Sequence, residues 1–237
     1  RLRIERLHLV QMFWWDRTQG RPFEVMASLK DLQAKGKIAH LAVTNFDTDA
    51  IGPLVEAGVD VVSAQVQYSL LDSRPEGRFA DWCAARNIGL ICYGVLAGGF
   101  LTEAWLGKPD PGHQFENRSL IKYRLIIDEF GGWDLFQSLL ETLHRIAQRH
   151  GVTIGAVAAR AMLDRPGVAC VILGARSARR LAETLAVFDL ALDHEDRAAL
   201  ERVLVQRKGP EGPVFALEGD RTGRHGRIMK YNLNTAT

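Results

Sequence analysis

The strongest constraint on what this chain can fold into is an alternation. Apolar, strand-like runs at 6–13, 38–44, 61–67, 88–93 and 168–173 are each followed by a stretch with helical spacing. Strands that take turns with helices are joined by crossovers, and so run parallel in a sheet. The first helix, "PFEVMASLKDLQAKGK", puts Phe23, Met26, Leu29 and Leu32 on one face, with Pro22 at its start and Gly36 at its stop. Further helices are predicted at 47–57 behind Asp47 as a cap, 75–87, 133–150, 153–165 opened by Thr153, 177–187 opened by Ser177, and 194–206. The gap between the fourth and fifth strands holds two or three helices and a loop, "GKPDPGHQFENRS", of a length that usually covers a site.

Five parallel strands make either an open doubly wound sheet or part of an eight-stranded barrel. No GxGxxG follows any strand, which weighs against the dinucleotide fold of the open type. A barrel needs three more units, expected before Arg1, where the sequence enters a strand almost at once. Residues 1–206 are expected to form this α/β domain and 207–237, rich in Gly, Pro and charge, an irregular tail.

Thirty basic residues against twenty-eight acidic leave +2, too even for a nucleic-acid footprint. No apolar run is long enough to span a bilayer. Cys83, Cys92 and Cys170 are odd in number and far apart, two of them in apolar strands, which points to a reducing, cytoplasmic setting. The histidines show no metal-ligand spacing, and no metal is assigned.

Ligands of parallel α/β folds sit at the carboxyl ends of strands. Here those ends read Phe13-Trp14-Trp15, Thr44-Asn45, Gln65-Val66-Gln67-Tyr68, Tyr93-Gly94 and Gly174-Ala175-Arg176. The amides of Asn45 and Gln65 offer both donor and acceptor, which suits a carboxamide, and Tyr93 offers a flat stacking face. A helix opening after Ser177, flanked by Arg176, Arg179 and Arg180, is an anion site on physical grounds. The plainer readings are turn caps for Asn45 and Gln65, core packing for Tyr93, a hydrophobic plug for Trp14 and Trp15, and a solvated helix start for the arginines.

The motifs "GKIAHLAVTNFD", "VVSAQVQYSLLD", "IGLICYGVLAGGFL" and "GVACVILGARSARRLAETL", in this order and spacing, resemble the aldo-keto reductases over essentially the whole length. The resemblance implies a (β/α)8 TIM barrel, present here as a partial barrel of strands four to eight with the C-terminal helices. It also implies NADP(H), or in some members NAD(H), as cofactor, and hydride transfer between carbonyls and alcohols. By the same resemblance Thr44, Asn45 and Gln65 match the positions that hold the nicotinamide carboxamide, and Tyr93 matches the ring that stacks on the nicotinamide. Leu96, Gly98 and Gly99, with Gly94 before them, match the loop that passes the pyrophosphate. Gly174, Arg176, Arg180, Glu183 and Thr184 match the segment around the adenosine and its 2′-phosphate.

Two departures bear on activity. Where the family's fourth strand ends in a histidine that polarises the substrate carbonyl, this chain has Phe13, followed by Trp14 as the aromatic of the substrate pocket; Trp15 is expected to face the barrel wall. The family's catalytic aspartate, tyrosine and lysine come from earlier strands, so no catalytic residue is assigned; Tyr68, with no lysine or histidine in its motif, is a poor substitute. Thr184 stands where asparagine is more usual and Gly174 where some branches have lysine, which leaves NAD open beside NADP. The alternative to an enzyme is a nonenzymatic nucleotide-binding scaffold, since channel-associated members keep cofactor contacts while altering catalytic positions. An unpaired barrel edge is expected to favour self-association.

Overall fold

The structure, a computed structural model, describes residues 3–14, 16, 20–175, 178 and 181–229. Among the described residues five strands, β1 (Leu7–Phe13), β2 (Ile38–Thr44), β3 (Val61–Gln67), β4 (Gly89–Tyr93) and β5 (Val168–Val171), follow one another across a sheet in chain order. β1 pairs with β2, and β2 with β3, in parallel. A doubly wound sheet reverses its order at a switch point; here the order never reverses, which is the winding of a (β/α) barrel. The alternation in the sequence therefore located all five strands, and winding decides between the two architectures it left open.

The helices are α1 (Pro22–Ala34), α2 (Thr48–Glu56), α3 (Arg78–Ala84), α4 (Arg118–Phe130), α5 (Trp133–His150), α6 (Ile154–Leu163), α7 (Leu181–Leu185) and α8 (His194–Leu204), then two single turns, α9 (Ala216–Gly219) and α10 (Arg224–Arg227). Asp47 caps α2 by accepting the Ala50 N–H at 3.0 Å, and the Thr153 hydroxyl caps α6 through Ala156 at 3.2 Å. The expected opening at Ser177 lies outside the described residues. α3 starts later than 75, because Gly77 takes a left-handed φ of 72° just ahead of it.

The chain divides into two compact units. The first comprises residues 1–66, 75–91 and 213–237. Its core is built on Leu41 and Val43 of β2 and on Val66 of β3, all fully buried, and α1 covers β2 with Met26. The apolar face expected for α1 is wider than the surface it meets: Phe23 and Leu32 remain exposed. Between 213 and 229 the chain buries Val214, Glu218 and His225.

The second unit comprises 67–74 and 92–212. α5 packs on α6 and α8, and Phe136, Leu140 and Leu143 of α5 are fully buried, as are Val157 and Met162 of α6. The segment before α4 is strapped down. Arg124, with 3% of its side chain exposed, bonds Asp110 at 2.5 Å and also Asp128. Trp133 donates its indole N–H to the Lys108 carbonyl at 2.9 Å, and Gln137 bonds both the Gly107 N–H and the Trp105 carbonyl.

Candidate functional site

The first unit gathers the carboxyl ends of β1, β2 and β3. Phe13 is in register with Thr44, and Thr44 with Gln65, so three adjacent parallel strands present these side chains in a row. The period of two along each strand sends alternate residues to the same face, which puts Gln11 on the side of Phe13. Gln11 donates through Nε2 to Gln65 Oε1 at 3.1 Å. That bond fixes the Gln65 amide with its acceptor engaged, and its Nε2 has no hydrogen-bond partner among the described residues. Asn45 sits at φ 58°, a left-handed conformation that asparagine tolerates better than most residues, and its N–H bonds the Gln65 carbonyl at 2.9 Å. The chain thus turns sharply off β2 and remains tied to β3.

Phe13 is 41% exposed and meets the ring of Phe215 edge-on at 5.9 Å. Trp14 is half-buried, its indole so close to Gly20 that a Cβ there would lie 2.7 Å from it. Asp16 forms an ion pair with Arg221 at 2.5 Å. The segment after 213 therefore supplies part of the wall around the β1 end. Trp15 lies outside the described residues.

The second unit gathers the glycine-rich loop after β4. Gly94, Leu96, Gly98 and Gly99 line a cleft of about 580 Å³ together with Gly174 and Tyr123. A smaller cleft of about 350 Å³ shares Leu96 and Gly174 with it and is also lined by Glu183 and Thr184. Tyr123 of α4 explains the glycines: a Cβ on Gly94 would meet its hydroxyl at 2.6 Å, and one on Gly98 its ring at 2.7 Å. Tyr93 carries the ammonium of Lys122 over its ring, 5.2 Å from the centre, and its carbonyl accepts the Tyr68 N–H. Tyr68 is itself buried. Beside Tyr93, burial pushes the Cys92 thiol up to about 12, so β4 presents no thiolate there. Arg176, Ser177, Arg179 and Arg180, and with them the expected anion site, lie outside the described residues.

Sequence reasoning missed Gln11, Phe215, Lys122 and Tyr123. The signal for Gln11 was in its spacing of two from Phe13. The other three reach the strand ends from segments remote in sequence, and no local pattern announces such contacts. Among the described residues no His, Cys, Asp and Glu cluster could hold a metal ion, and no helix is long and apolar enough to cross a membrane.

Comparison with known proteins gives concordant results. The chain is 28% identical over 179 residues to flagellar radial spoke protein 5 of Chlamydomonas reinhardtii, a match covering 68% of this chain and 34% of that protein. It is 26% identical over 218 residues to the aldo-keto reductase YhdN of Bacillus subtilis (strain 168), covering 91% and 63%. The fold is that of the glycerol dehydrogenase AKR11B4 from Gluconobacter oxydans, with a TM-score of 0.74 at 24% identity, covering 88% of this chain and 62% of that one. The chain thus spans from about a third to under two thirds of the length of these relatives. The model of the Aldo/keto reductase family matches residues 1–205, and on that match the chain belongs to this family.

Proposed function

We propose that this chain holds a nicotinamide dinucleotide for hydride transfer between a carbonyl and an alcohol of small-molecule size. The observation that carries the reading is the Gln65 amide, locked by Gln11 at the end of β3 with its donor nitrogen left for a ligand. Thr44, Asn45 and Gln65 take the carboxamide and Tyr93 stacks on the ring. The Gly94–Gly99 loop passes the pyrophosphate, and Gly174, Glu183 and Thr184, with Arg176 and Arg180, surround the adenosine end. The residues fit such a group, because the cleft at the glycine loop, about 580 Å³, is large enough for a diphosphate.

The bound nucleotide supplies or accepts the hydride; the chain's residues hold it in place and exclude water, which is where much of the rate of such reactions arises. Phe13 and Trp14 face the substrate. NADP leads over NAD. A 22% identical structure from Klebsiella pneumoniae is described as an aldo-keto reductase in complex with NADPH, but a 24% identical Escherichia coli relative is named an NADH-specific methylglyoxal reductase. The described cysteines are free thiols, which suits the cytoplasm.

A second reading is favoured by Phe13, which cannot donate a hydrogen bond where the family has histidine: a nucleotide-binding scaffold without turnover. The radial spoke protein among the relatives is in keeping with it. Calorimetric titration of residues 1–237 with NADPH and NADH tests both readings. Saturable binding is expected, weakened about three- to ten-fold by Gln65→Met, the effect of one lost hydrogen bond. Absence of saturable binding by either nucleotide overturns both. Binding without turnover of any aldehyde selects the scaffold.

A further inference from the structure

Lys122 is a cation held against the proposed stacking ring. Its ammonium lies 5.2 Å from the centre of Tyr93 and 5.5 Å from that of Tyr123, within reach of the electron-rich faces of both. α4 brings it there, because Tyr123, the next residue, is pressed onto Gly94 and Gly98. Lys122 is half-buried, so its field is screened less than that of a fully exposed lysine.

We infer that Lys122 makes the chain discriminate between the two redox forms of its nicotinamide nucleotide, holding the reduced form more tightly than the oxidised. The inference rests on the reading of Tyr93 given above. An oxidised nicotinamide ring is positively charged and a reduced one is neutral. An ammonium held at Tyr93 repels the first and not the second, whichever face of the phenol the nicotinamide takes. It also competes for the π-density that would stabilise a cationic ring. Any attraction between Lys122 and the phosphates is common to both forms and cancels in the ratio of their affinities. Two unit charges about 8 Å apart across the phenol, with an effective dielectric of about 40, between those of water and a protein surface, give a discrimination of about three- to ten-fold.

The test is the ratio of the dissociation constants of NADP+ and NADPH, measured by calorimetry on wild type, Lys122→Met and Lys122→Arg. The methionine variant is expected to lower that ratio about three- to ten-fold, the arginine variant to keep it, and added salt to shrink the difference. Lys122→Gln, with melting followed alongside, serves as a second neutral variant should methionine perturb α4. A ratio unchanged in both neutral variants, while wild type binds both nucleotides, overturns the inference and leaves the site reading intact. Wild type binding neither nucleotide overturns the site reading itself, and the inference with it.

Discussion

At the scale of single residues the candidate site turns on which polar atoms are already engaged. Gln11 orients Gln65, and Phe13, in the proposed reading, stands where the family has a histidine able to donate. Phe13→His supplies an imidazole N–H at the end of β1, and one donor placed to polarise a carbonyl contributes on the order of a hundredfold. In a full-length version that supplies the family's aspartate, tyrosine and lysine, NADPH-dependent aldehyde turnover is expected to rise, with NADPH affinity unchanged; unaltered turnover with normal binding counts against placing Phe13 in the substrate pocket. The cysteines permit a simpler check. Cys170 is exposed, whereas Cys83 and Cys92 are buried with thiols pushed up to about 12, chiefly by burial. In the native protein a disulfide reagent at mild alkaline pH is expected to titrate Cys170 alone, and all three thiols only after denaturation. Rapid native reaction of Cys83 or Cys92 contradicts the packing of β4 and α3.

At the scale of elements, the strap ahead of α4 is held by Arg124, whose partners Asp110 and Asp128 are partly exposed. Arg124→Met is therefore expected to cost about 1–2 kcal/mol, less than breaking a fully buried pair, and to lower the melting temperature by several degrees. The hydrogen bond from Arg124 holds the Asp110 carboxyl below its ordinary 3.8. A depressed carboxylate stabilises fully above its unfolded pKa and loses that contribution as pH falls through the folded one. The strap should accordingly loosen only below about pH 3.8, read by the fluorescence of Trp105 and Trp133; loosening near neutrality contradicts the ion pair. The elements differ in how far the sequence reveals them. β2 and α5 show because their periodicities are uninterrupted between clear turn signals. α4 did not, because "RSLIKYRLIIDEF" mixes charge into its apolar spacing and buries Arg124 itself. Strand-end residues such as Thr44 and Gln65 were legible because strands address their ends by register. Tyr123 was not, because nothing local to α4 states that it will lie on Gly94.

At the scale of the whole chain, the question is what β1 does with its second edge. In the sheet order of the described residues β1 has a neighbour on one side only, and Leu9 and Phe13 along it, with Ile4 just before it, are 38%, 41% and 54% exposed. α1, which covers β2, leaves Phe23, Val25 and Leu32 exposed. A long apolar strand with unsatisfied backbone donors and acceptors is a template for another strand, and proteins that stay monomeric blunt such edges with charge or proline. No lysine or proline interrupts "LHLVQMF". We therefore propose that residues 1–237, in isolation, associate through β1 with a second copy. Sedimentation velocity is expected to show dimers or larger species whose proportion rises with concentration. Leu9→Lys, which sets a charge on that strand without touching the amide of Gln65, should shift the population towards monomer while leaving NADPH affinity unchanged. A monodisperse monomer that melts cooperatively at all concentrations would refute association, and insensitivity of the dimer to Leu9→Lys would move the interface away from β1.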